Sequence, residues 1–490
     1  MTNLKRRDFL NALGLGAVAL SLRPGKVRAA DAAGKPNIVY ILADDFGYGD
    51  AACYNKDAKI PTPNIDRLAA EGVRFTDAHS ASAVCSPTRY GILTGRYAWR
   101  TRLKRGVLGP YDPPLIEPGR LTVGALLQQH GYHTACIGKW HLGWDWPRED
   151  GRKVFDRPIP NGPTARGFDY YFGTDVPNYP PYCFIENDRT VGLPTALKEK
   201  RDLDGQPGPM LPDWRFDAIL PKLAEKAVEY IGQRAADGKP FFLYFPLTSP
   251  HEPIAPSPRF QGKSGIGALA DFMMETDWAA GEVLQALDRH GLAANTLVYF
   301  TTDNGHAAYT GLPELQQHGH EPSGPWRGYK ADIWEGGHRI PFIARWPGRI
   351  KPKSVCDDTI CLNNLLATCA DVLGATLPDD AGEDSFSILG PLCGETPDKP
   401  SHEAVVHHSG SGVFAIRRGP WKLIEGSGPG REAGTGDKAA SPAGQLYNLR
   451  TDPAEKENLY DKHPDVVKEL HALLETYRTG GRSRPGPGPS

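Results

Sequence analysis

Four apolar runs along the chain each end abruptly in polar or charged residues. They occupy Asn37–Ala43, 132–137, 240–247 and Thr296–Thr302. Runs of this length without alternating polar positions are typical of strands that are buried on both faces of a parallel sheet. Apolar residues recur at helical spacing in the segments between them, at 63–72, 121–130, 216–232 and 269–290. The sequence therefore predicts an α/β sheet with crossover helices.

The pattern changes after about residue 390. Short apolar runs of strand length follow one another, near 404–407, 413–416, 421–424 and 445–449, and a helical pattern covers 464–478. These predict a small α+β unit at 395–480, distinct from a large domain at 35–390. The tail at 481–490 is rich in Gly, Pro and Ser and is predicted to be disordered.

The first thirty residues have the pattern of an export signal. A basic stretch at 5–7 precedes a mildly apolar run at 9–22, and the small residues Ala29 and Ala30 follow. This resembles a twin-arginine signal peptide at 1–30 and predicts an exported protein, periplasmic or extracellular. An amphipathic N-terminal arm is the alternative interpretation. Since no second apolar stretch approaches about 18 residues, no membrane span is predicted in the mature chain.

Composition limits the classes of partner. The 56 Lys and Arg residues nearly balance the 58 Asp and Glu residues, so no global field recruits nucleic acid or a membrane surface. A site for an anion must therefore be local. The eight cysteines lack zinc-finger or zinc-ribbon spacing, and no disulfide is assigned. Cys356, Cys361 and Cys369 lie around an apolar segment and are interpreted as buried thiols.

Acidic and amide side chains follow two of the buried strands. Asp44 and Asp45 come directly after the first run, and Asp303 and Asn304 come after the last. Open α/β sheets bind ligands at the carboxyl ends of their strands, although a solvated turn is the alternative for each pair. Together the four residues form an all-oxygen set. Such a set suits Ca²⁺ or Mg²⁺ and not zinc, and Ca²⁺ is favoured because it tolerates irregular coordination.

Basic and titratable side chains follow the other two strands. Lys139 and His141 are alternate residues, so in an extended segment they point the same way. His251 stands in the polar segment after the run at 240–247. These residues predict a site that binds an anion and moves protons, with an ordinary solvent-facing loop as the alternative.

The stretch at 83–96 carries a thiol at a predicted helix start. Cys85 precedes Ser-Pro, so Pro87 falls in the first helical turn, and Gly95 lies where the helix would stop. The orphan N–H groups of a helix N-terminus stabilise an anionic nucleophile or substrate, and Arg89 adds donors one turn away. A buried thiol on an ordinary helix is the alternative.

These motifs resemble those of one enzyme family. Cys-x-Pro-x-Arg at 85–89 followed by Leu-Thr-Gly-Arg at 93–96 is similar to the signature of the formylglycine-dependent, type I sulfatases, a family that includes the arylsulfatases. Gly-Lys-Trp-His-Leu-Gly at 138–143 matches a second family motif, and Lys330 matches the family's second active-site lysine. The run from 446 to 459 resembles the family's C-terminal subdomain. The resemblance implies an alkaline-phosphatase-like fold with a large mixed sheet and a small C-terminal α+β subdomain.

The resemblance also implies a mechanism. Cys85 would be oxidised to formylglycine by a formylglycine-generating enzyme, and its oxygen would complete the Ca²⁺ site. The hydrated aldehyde would attack the sulfur of a sulfated small molecule or glycan. His251 with Lys330 would protonate the leaving oxygen, and His141 would act as the base that releases sulfate. Lys139 would contact the sulfate, and Arg89 would orient the hydrated aldehyde.

Two other functions and one residue stay open at this point. A phosphonate or phosphate ester hydrolase could use the same residues, and an unmodified protein could bind sulfated glycans without turnover. The Pro-, Gly- and aromatic-rich segment at 144–211 is predicted to be a long loop, and the family's hydroxyl side chain cannot be placed in it. Five other histidines lack zinc-like spacing and are interpreted as surface or loop residues, namely His318, His320, His402, His407 and His408.

Overall fold

The computed structural model describes residues 34–201, 205–395, 400–430 and 444–486. The predicted signal peptide at 1–30 and the last four residues of the predicted tail lie outside the described residues. The beginning of that tail is held in place, because the Ser483 backbone N–H donates to Asp384 Oδ1 at 3.0 Å and to the Glu383 carbonyl at 3.1 Å. Ser483 is buried, so the prediction of disorder from 481 is wrong at this residue.

A ten-stranded sheet forms the centre of the protein. Its strands are β1 (Asn37–Ala43), β2 (Val73–Phe75), β3 (His133–Lys139), β4 (Tyr170–Thr174), β5 (Ile185–Glu186), β6 (Arg189–Thr190), β7 (Phe241–Pro246), β8 (Thr296–Thr302), β9 (Phe342–Arg345) and β10 (Ser354–Cys356). The spatial order is β10-β2-β9-β8-β1-β7-β3-β4-β5-β6. Strands β8, β1, β7, β3 and β4 are parallel, and the antiparallel pairs β8–β9, β9–β2, β4–β5 and β5–β6 make the sheet mixed.

Helices cover both faces of this sheet. The α-helices of the described residues are α1 (Pro63–Ala70), α2 (Cys85–Thr94), α3 (Val123–Gln129), α4 (Ile219–Asp237), α5 (Ala268–Arg289), α6 (Leu312–Gln317), α7 (Glu335–His338), α8 (Leu365–Leu373), α9 (Leu389–Leu392) and α10 (Pro464–Thr479). One apolar core includes residues of α2, α3 and α8, and the other includes residues of α1, α4 and α5. No helix among the described residues is long and apolar enough to cross a membrane.

Strand β1 shows why the sequence pattern lacks alternation. Ile38 and Tyr40 point into the core on the α2 side, whereas Val39 and Ile41 point into the core on the α5 side. All four are almost completely buried. An apolar residue is therefore required at every position, as expected for a strand that is covered on both faces.

Helix α2 has the predicted ends. Val84 is extended before it, Pro87 lies in the first turn, and Gly95 follows in the left-handed region with φ 64°. Every residue of the helix is buried. The chain thereby presents Cys85 at the N-terminus of a fixed element.

The C-terminal unit is a four-stranded antiparallel sheet with one helix, as predicted. Its strands β11 (Val405–His408), β12 (Phe414–Arg418), β13 (Trp421–Ile424) and β14 (Gln445–Asn448) pair in chain order. The α10 residues Leu470 and Leu474 share a core with Ile416 and Leu423. Two-stranded ribbons lie elsewhere, formed by Ala78–His79 with Ile360–Cys361, Arg148–Glu149 with Arg152–Lys153, and Ala196–Lys198 with Gly208–Met210.

Two predictions about polar segments are wrong. The segment at 144–211 contains β4, whose apolar character was hidden by the surrounding Pro and Gly. Four of the five histidines interpreted as surface residues are buried, and His318 alone is exposed. Each buried ring has a hydrogen-bond partner that removes much of the penalty of burial. The partners are Asp50 for His320, Asn364 for His402, the Ser80 carbonyl for His407 and the Ser409 carbonyl for His408.

A group of buried charges joins the C-terminal sheet to α7 and the Ala78–His79 ribbon. We call it the interface cluster, and it consists of Asp77, His79, Glu335, His338, Arg339, His407, Arg417, Lys422 and Glu455. Asp77 binds Arg417 at 2.6 Å and Arg339 at 3.0 Å, and Lys422 binds Glu335 at 3.0 Å. These contacts tie segments that are far apart along the chain.

Candidate active site

The polar residues predicted at strand ends lie together at one edge of the sheet. Asp44 follows β1, Asp303 follows β8, and Lys139 is the last residue of β3. Because these strands are parallel, their carboxyl ends face the same side. Cys85 reaches the same place from the N-terminus of α2, and His251 reaches it from the segment after β7. These residues alone come from five separate segments of the chain.

Three carboxylates form the base of the site. Asp44, Asp45 and Asp303 each offer an oxygen, and these oxygens and the Cys85 sulfur lie within 4.8 Å of one another. Asn304 Nδ2 donates to Asp45 Oδ1 at 2.7 Å, while the buried Asn304 Oδ1 has no partner among the described residues. This set supplies oxygen ligands and one unused acceptor. It fits a hard divalent cation, Ca²⁺ or Mg²⁺, better than zinc.

Each carboxylate is also paired with a buried cation. The pairs are Lys139 with Asp44, Arg89 with Asp303 and Lys330 with Asp45, each at 2.7 Å. The side chains of the first two pairs are fully inaccessible to solvent, and the third pair is nearly so. Taking single charges out of water is costly, so these groups are tolerable only as a network.

The pKa shifts in the third pair have opposing causes. Burial alone would lower the pKa of the Lys330 ammonium, but Asp45 and Cys85 raise it well above its ordinary value. Burial would raise the pKa of Asp45, but Lys330 and His251 together hold it below its ordinary value. Lys330 is therefore protonated and Asp45 ionised at neutral pH.

The Cys85 thiol is not activated by its helix terminus. Burial raises its pKa to about 12, and the opposing effects of Lys139 and Lys330 are too small to prevent this. Cys85 is only 2% exposed, and its sulfur lies 3.9 Å from Asp44 Oδ1. The sequence indicated an anionic nucleophile or substrate at this helix terminus, with a buried thiol as the alternative. Burial outweighs the terminus, and the unmodified residue is a protonated thiol at neutral pH.

His141 has one ring nitrogen available. Its Nε2 lies 3.0 Å from the Leu108 carbonyl, so Nε2 carries the proton and donates it. Its Nδ1 is buried and has no partner among the described residues. Burial and then Lys139 lower the pKa of His141 well below its ordinary value, so the ring is neutral. The backbone has φ 53°, and its N–H donates to Asp175 at 3.2 Å. His141 is thus held with a free lone pair at Nδ1.

His251 has the opposite tautomer. Its Nδ1 lies 2.6 Å from the Glu252 carbonyl and must donate to it. Nε2 is left with a lone pair, 3.9 Å from Asp45 Oδ2. Burial, with Lys139 and Lys330, lowers the pKa of His251 well below its ordinary value.

A cavity of about 350 Å³ opens above these groups. Its walls include Cys85, His141, His251 and Lys330, together with residues that sequence reasoning missed, notably Asn178 and Glu252. Glu252 directly follows His251, and this was the one indication in the sequence that Glu252 belongs to the site. Asn178 lies in the segment predicted to be a loop and has no pattern of its own. Among the described residues of that segment, Tyr179 is the only one with a hydroxyl in the cavity wall.

Comparison with known proteins identifies the family. The model of the family called Sulfatase matches residues 36–375. The chain belongs to the sulfatase family. This sulfatase is 36% identical over 487 residues to the N-acetylgalactosamine-6-O-sulfatase of Bacteroides thetaiotaomicron, covering 91% of this chain and 93% of that protein. It is 34% identical over 471 residues to the arylsulfatase A of Bos taurus, covering 89% and 86%.

Solved sulfatase structures have the same fold. A Bacteroides thetaiotaomicron sulfatase, described in connection with the metabolism of multiple glycosaminoglycans, gives a TM-score of 0.81 at 34% identity and covers 91% of this chain and 100% of that one. The PsFucS1 sulfatase from Pseudoalteromonas gives 0.71 at 26% identity, covering 93% and 92%. The predicted alkaline-phosphatase-like fold is thus confirmed, and the sulfatase is a sulfuric ester hydrolase.

Proposed function

We propose that this sulfatase hydrolyses carbohydrate or aryl sulfate monoesters through a formylglycine made from Cys85. The position of Cys85 is the observation that carries the proposal. Cys85 lines the cavity beside three carboxylates, and the positive charges of Lys139 and Lys330 both act on its thiol. The relative named N-acetylgalactosamine-6-O-sulfatase supports a sulfated sugar as the substrate.

A divalent cation, Ca²⁺ or alternatively Mg²⁺, would be held by Asp44, Asp45, Asp303 and Asn304, with the oxygen of modified residue 85. When bound, it would supply positive charge to the oxygens of the sulfate group. The three carboxylates already balance the three cations around them. A divalent ion would therefore give the site an excess of two positive charges, which suits an anionic ester group.

Oxidation of Cys85 would replace a weakly nucleophilic buried thiol by an oxygen nucleophile. A thiol with a pKa of about 12 is a weak nucleophile at neutral pH. The conversion replaces the sulfur with an aldehyde oxygen, and it needs a maturation enzyme that supplies the oxidant. We infer that a formylglycine-generating enzyme is the partner in this step. The aldehyde adds water to form a geminal diol with two hydroxyl groups at one carbon.

The proton transfers can be assigned to this chain's residues. One diol hydroxyl gives its proton to a carboxylate at the base of the site as its oxygen attacks sulfur. The bond from sulfur to the alcohol oxygen breaks, the alcohol takes a proton from Lys330, with His251 alongside, and the proton held by the carboxylate restores Lys330. His141 Nδ1 then accepts the proton of the second hydroxyl. The bond from carbon to the sulfate oxygen breaks, sulfate leaves, and the aldehyde is restored. Arg89 and Lys139 hold Asp303 and Asp44 throughout.

The nucleophile can be tested directly. Peptide mass spectrometry after hydrazine labelling should find an aldehyde at position 85 in active protein from the native host, and Cys85→Ala should abolish turnover of 4-nitrophenyl sulfate. Only thiol in fully active protein would overturn the mechanism. Thiol in inactive protein that still binds sulfated glycans would support the alternative of a silent binder.

The site of action follows from the predicted signal. We propose that the twin-arginine-type segment at 1–30 directs the protein to the periplasm or beyond the cell. Replacing Arg6 and Arg7 by Lys should leave activity in the cytoplasmic fraction. Unchanged export of that variant would show that the segment is not a twin-arginine signal.

A further inference from the structure

Glu252 is the one acidic side chain in the cavity wall among the described residues. The three carboxylates at the base each face a cation, whereas Glu252 stands on the wall next to His251. A carboxylate in a site for an anion repels the sulfate and any second acidic group nearby. The part of the ligand that lies against Glu252 must therefore be uncharged or cationic, and it must donate hydrogen bonds if the carboxylate is to be satisfied.

Asn178 fixes the orientation of this carboxylate. Its Nδ2 donates to Glu252 Oε1 at 2.9 Å, and Asn178 is itself only 8% exposed. The Asn178 carbonyl accepts hydrogen bonds from the Tyr182 hydroxyl at 3.0 Å and from the Gln206 backbone N–H at 3.1 Å, so two donors hold its backbone in place. The second oxygen of Glu252, Oε2, has no hydrogen-bond partner among the described residues. It is available to a ligand.

The neighbours of Glu252 place it on the side of the departing alcohol. Its backbone carbonyl accepts the His251 Nδ1–H, its side chain lines the same cavity as Lys330, the proposed proton donor, and the Lys330 ammonium is close enough to offset part of the rise that burial causes in the Glu252 pKa. A group bound by Glu252 would therefore be attached to the alcohol part of the ester, near the sulfated carbon. Hydroxyl groups occupy that position in a sugar, and an aryl sulfate has none.

We propose that Glu252, positioned by Asn178, accepts a hydrogen bond from a hydroxyl group of the alcohol and thereby selects sugar sulfates over aryl sulfates. This rests on the proposed function and adds the residue that determines the substrate class. The bond is charge-assisted, and such bonds correspond to about 10- to 100-fold in kcat/KM.

The test compares two classes of substrate in each variant. The probes are the 6-sulfates of glucose, galactose and N-acetylgalactosamine, with 4-nitrophenyl sulfate as the aryl ester. Glu252→Gln should lower kcat/KM for the preferred sugar sulfate by about 10- to 100-fold, mainly through KM, and change that for the aryl ester by less than about 3-fold. Asn178 still donates to one atom of the glutamine, so an NH₂ group faces the ligand where an acceptor is needed.

Three further variants test whether Asn178 acts through Glu252 and whether the Glu-to-Gln change has an effect of its own. Asn178→Ala should lower the ratio of kcat/KM for the sugar sulfate to that for the aryl ester, by a smaller factor than Glu252→Gln does. The double variant should lose no more of this ratio than Glu252→Gln alone. Glu229→Gln, the same chemical change in a surface ion pair of α4, should alter neither class.

The outcomes distinguish the inference from the proposed function. Equal losses for both classes in Glu252→Gln, or wild-type protein that hydrolyses only the aryl ester, would overturn the role of Glu252 while leaving the sulfatase chemistry intact. Wild-type protein that carries formylglycine and hydrolyses neither class would overturn the proposed function itself.

Discussion

The active site and the interface cluster are built from the same charges. Each contains three buried carboxylates and three buried cations. In the active site each carboxylate has one principal cationic partner at 2.7 Å, and Arg89 also reaches Asp44 at 3.4 Å. In the interface cluster the cations bridge, since Lys422 binds both Glu335 and Glu455 and Arg339 binds both Asp77 and Glu335. None of its members lines the active-site cavity.

The comparison shows that charge content alone does not make a site. The interface cluster uses its charges to join distant parts of the chain, and its ring nitrogens are largely occupied by neighbours. The active site contains buried acceptor atoms that have no hydrogen-bond partner among the described residues, such as Asn304 Oδ1 and His141 Nδ1. The loss of one carboxylate should therefore abolish chemistry in one cluster and lower stability in the other.

The largest effect is expected for Asp303→Asn. It keeps the shape of the side chain but removes a charged ligand of the proposed cation and the partner of Arg89. Activity on 4-nitrophenyl sulfate should fall by at least about 10³-fold, and bound calcium, measured by elemental analysis, should be lost. Circular dichroism should show a folded protein. Stoichiometric calcium retained in an Asp44→Ala, Asp303→Ala double variant would contradict the ligand assignment.

The excess positive charge of the loaded active site predicts a second effect, on the choice of anion. A phosphate monoester carries nearly two negative charges at neutral pH and should bind well. In the proposed mechanism the covalent adduct must break down by expelling the anion, and sulfate is a far weaker base than phosphate. We expect multiple turnovers with aryl sulfates, and tight inhibition or a single-turnover burst with aryl phosphates. Steady phosphate release at the rate of sulfate release would favour the alternative of a phosphoester hydrolase.

Asp77→Ala tests the interface cluster with a comparable change. It leaves Arg339 and Arg417 buried beside an empty position, which typically destabilises a protein by about 3–5 kcal/mol. The midpoint of urea unfolding should fall accordingly. Activity per folded molecule on 4-nitrophenyl sulfate should stay within about 3-fold of wild type. A loss as large as that of Asp303→Asn in folded protein would show that the two clusters are functionally coupled.

The smallest effect concerns acid stability. Burial lowers the pKa of His79, His338 and His407, so below about pH 6.5 the unfolded chain binds protons that the folded protein does not. Stability therefore falls as the pH falls, by up to about 1.4 kcal/mol per pH unit for each ring. Burial raises the pKa of Glu455 to about 7. Between pH 7 and 4.5 this carboxyl therefore binds a proton in the folded protein that it does not bind in the unfolded chain, and this offsets the loss of stability caused by one of the three rings.

His407→Gln measures one ring of this set. The amide can still donate to the Ser80 carbonyl but does not titrate. The free energy of unfolding should depend on pH between 6.5 and 5 with a slope smaller by about one proton than in wild type. An unchanged slope would mean that His407 does not contribute to the linkage.

The sequence predicted those parts of the site that stand at strand ends. Asp44, Asp303 and Lys139 are recognisable because each stands at the end of an apolar run that predicts a strand, and the carboxyl ends of parallel strands lie at the same edge of the sheet. Asn178 and Glu252 are not, since their positions depend on how a long connection folds back over the cavity. The interface cluster was missed for a related reason. In the sequence His407 is a polar residue on a short strand, and only tertiary packing places the rings of His79 and His338 against it.

The burial of Cys85 has a consequence for the order in which the protein is folded and modified. A residue that is 2% exposed at the start of a completely buried helix is out of reach of any macromolecular catalyst once the sheet has closed. The proposed oxidation would therefore have to compete with folding, and a chain that folds first would keep its thiol and stay inactive. The active fraction of a preparation would then report the relative rates of oxidation and of folding during synthesis.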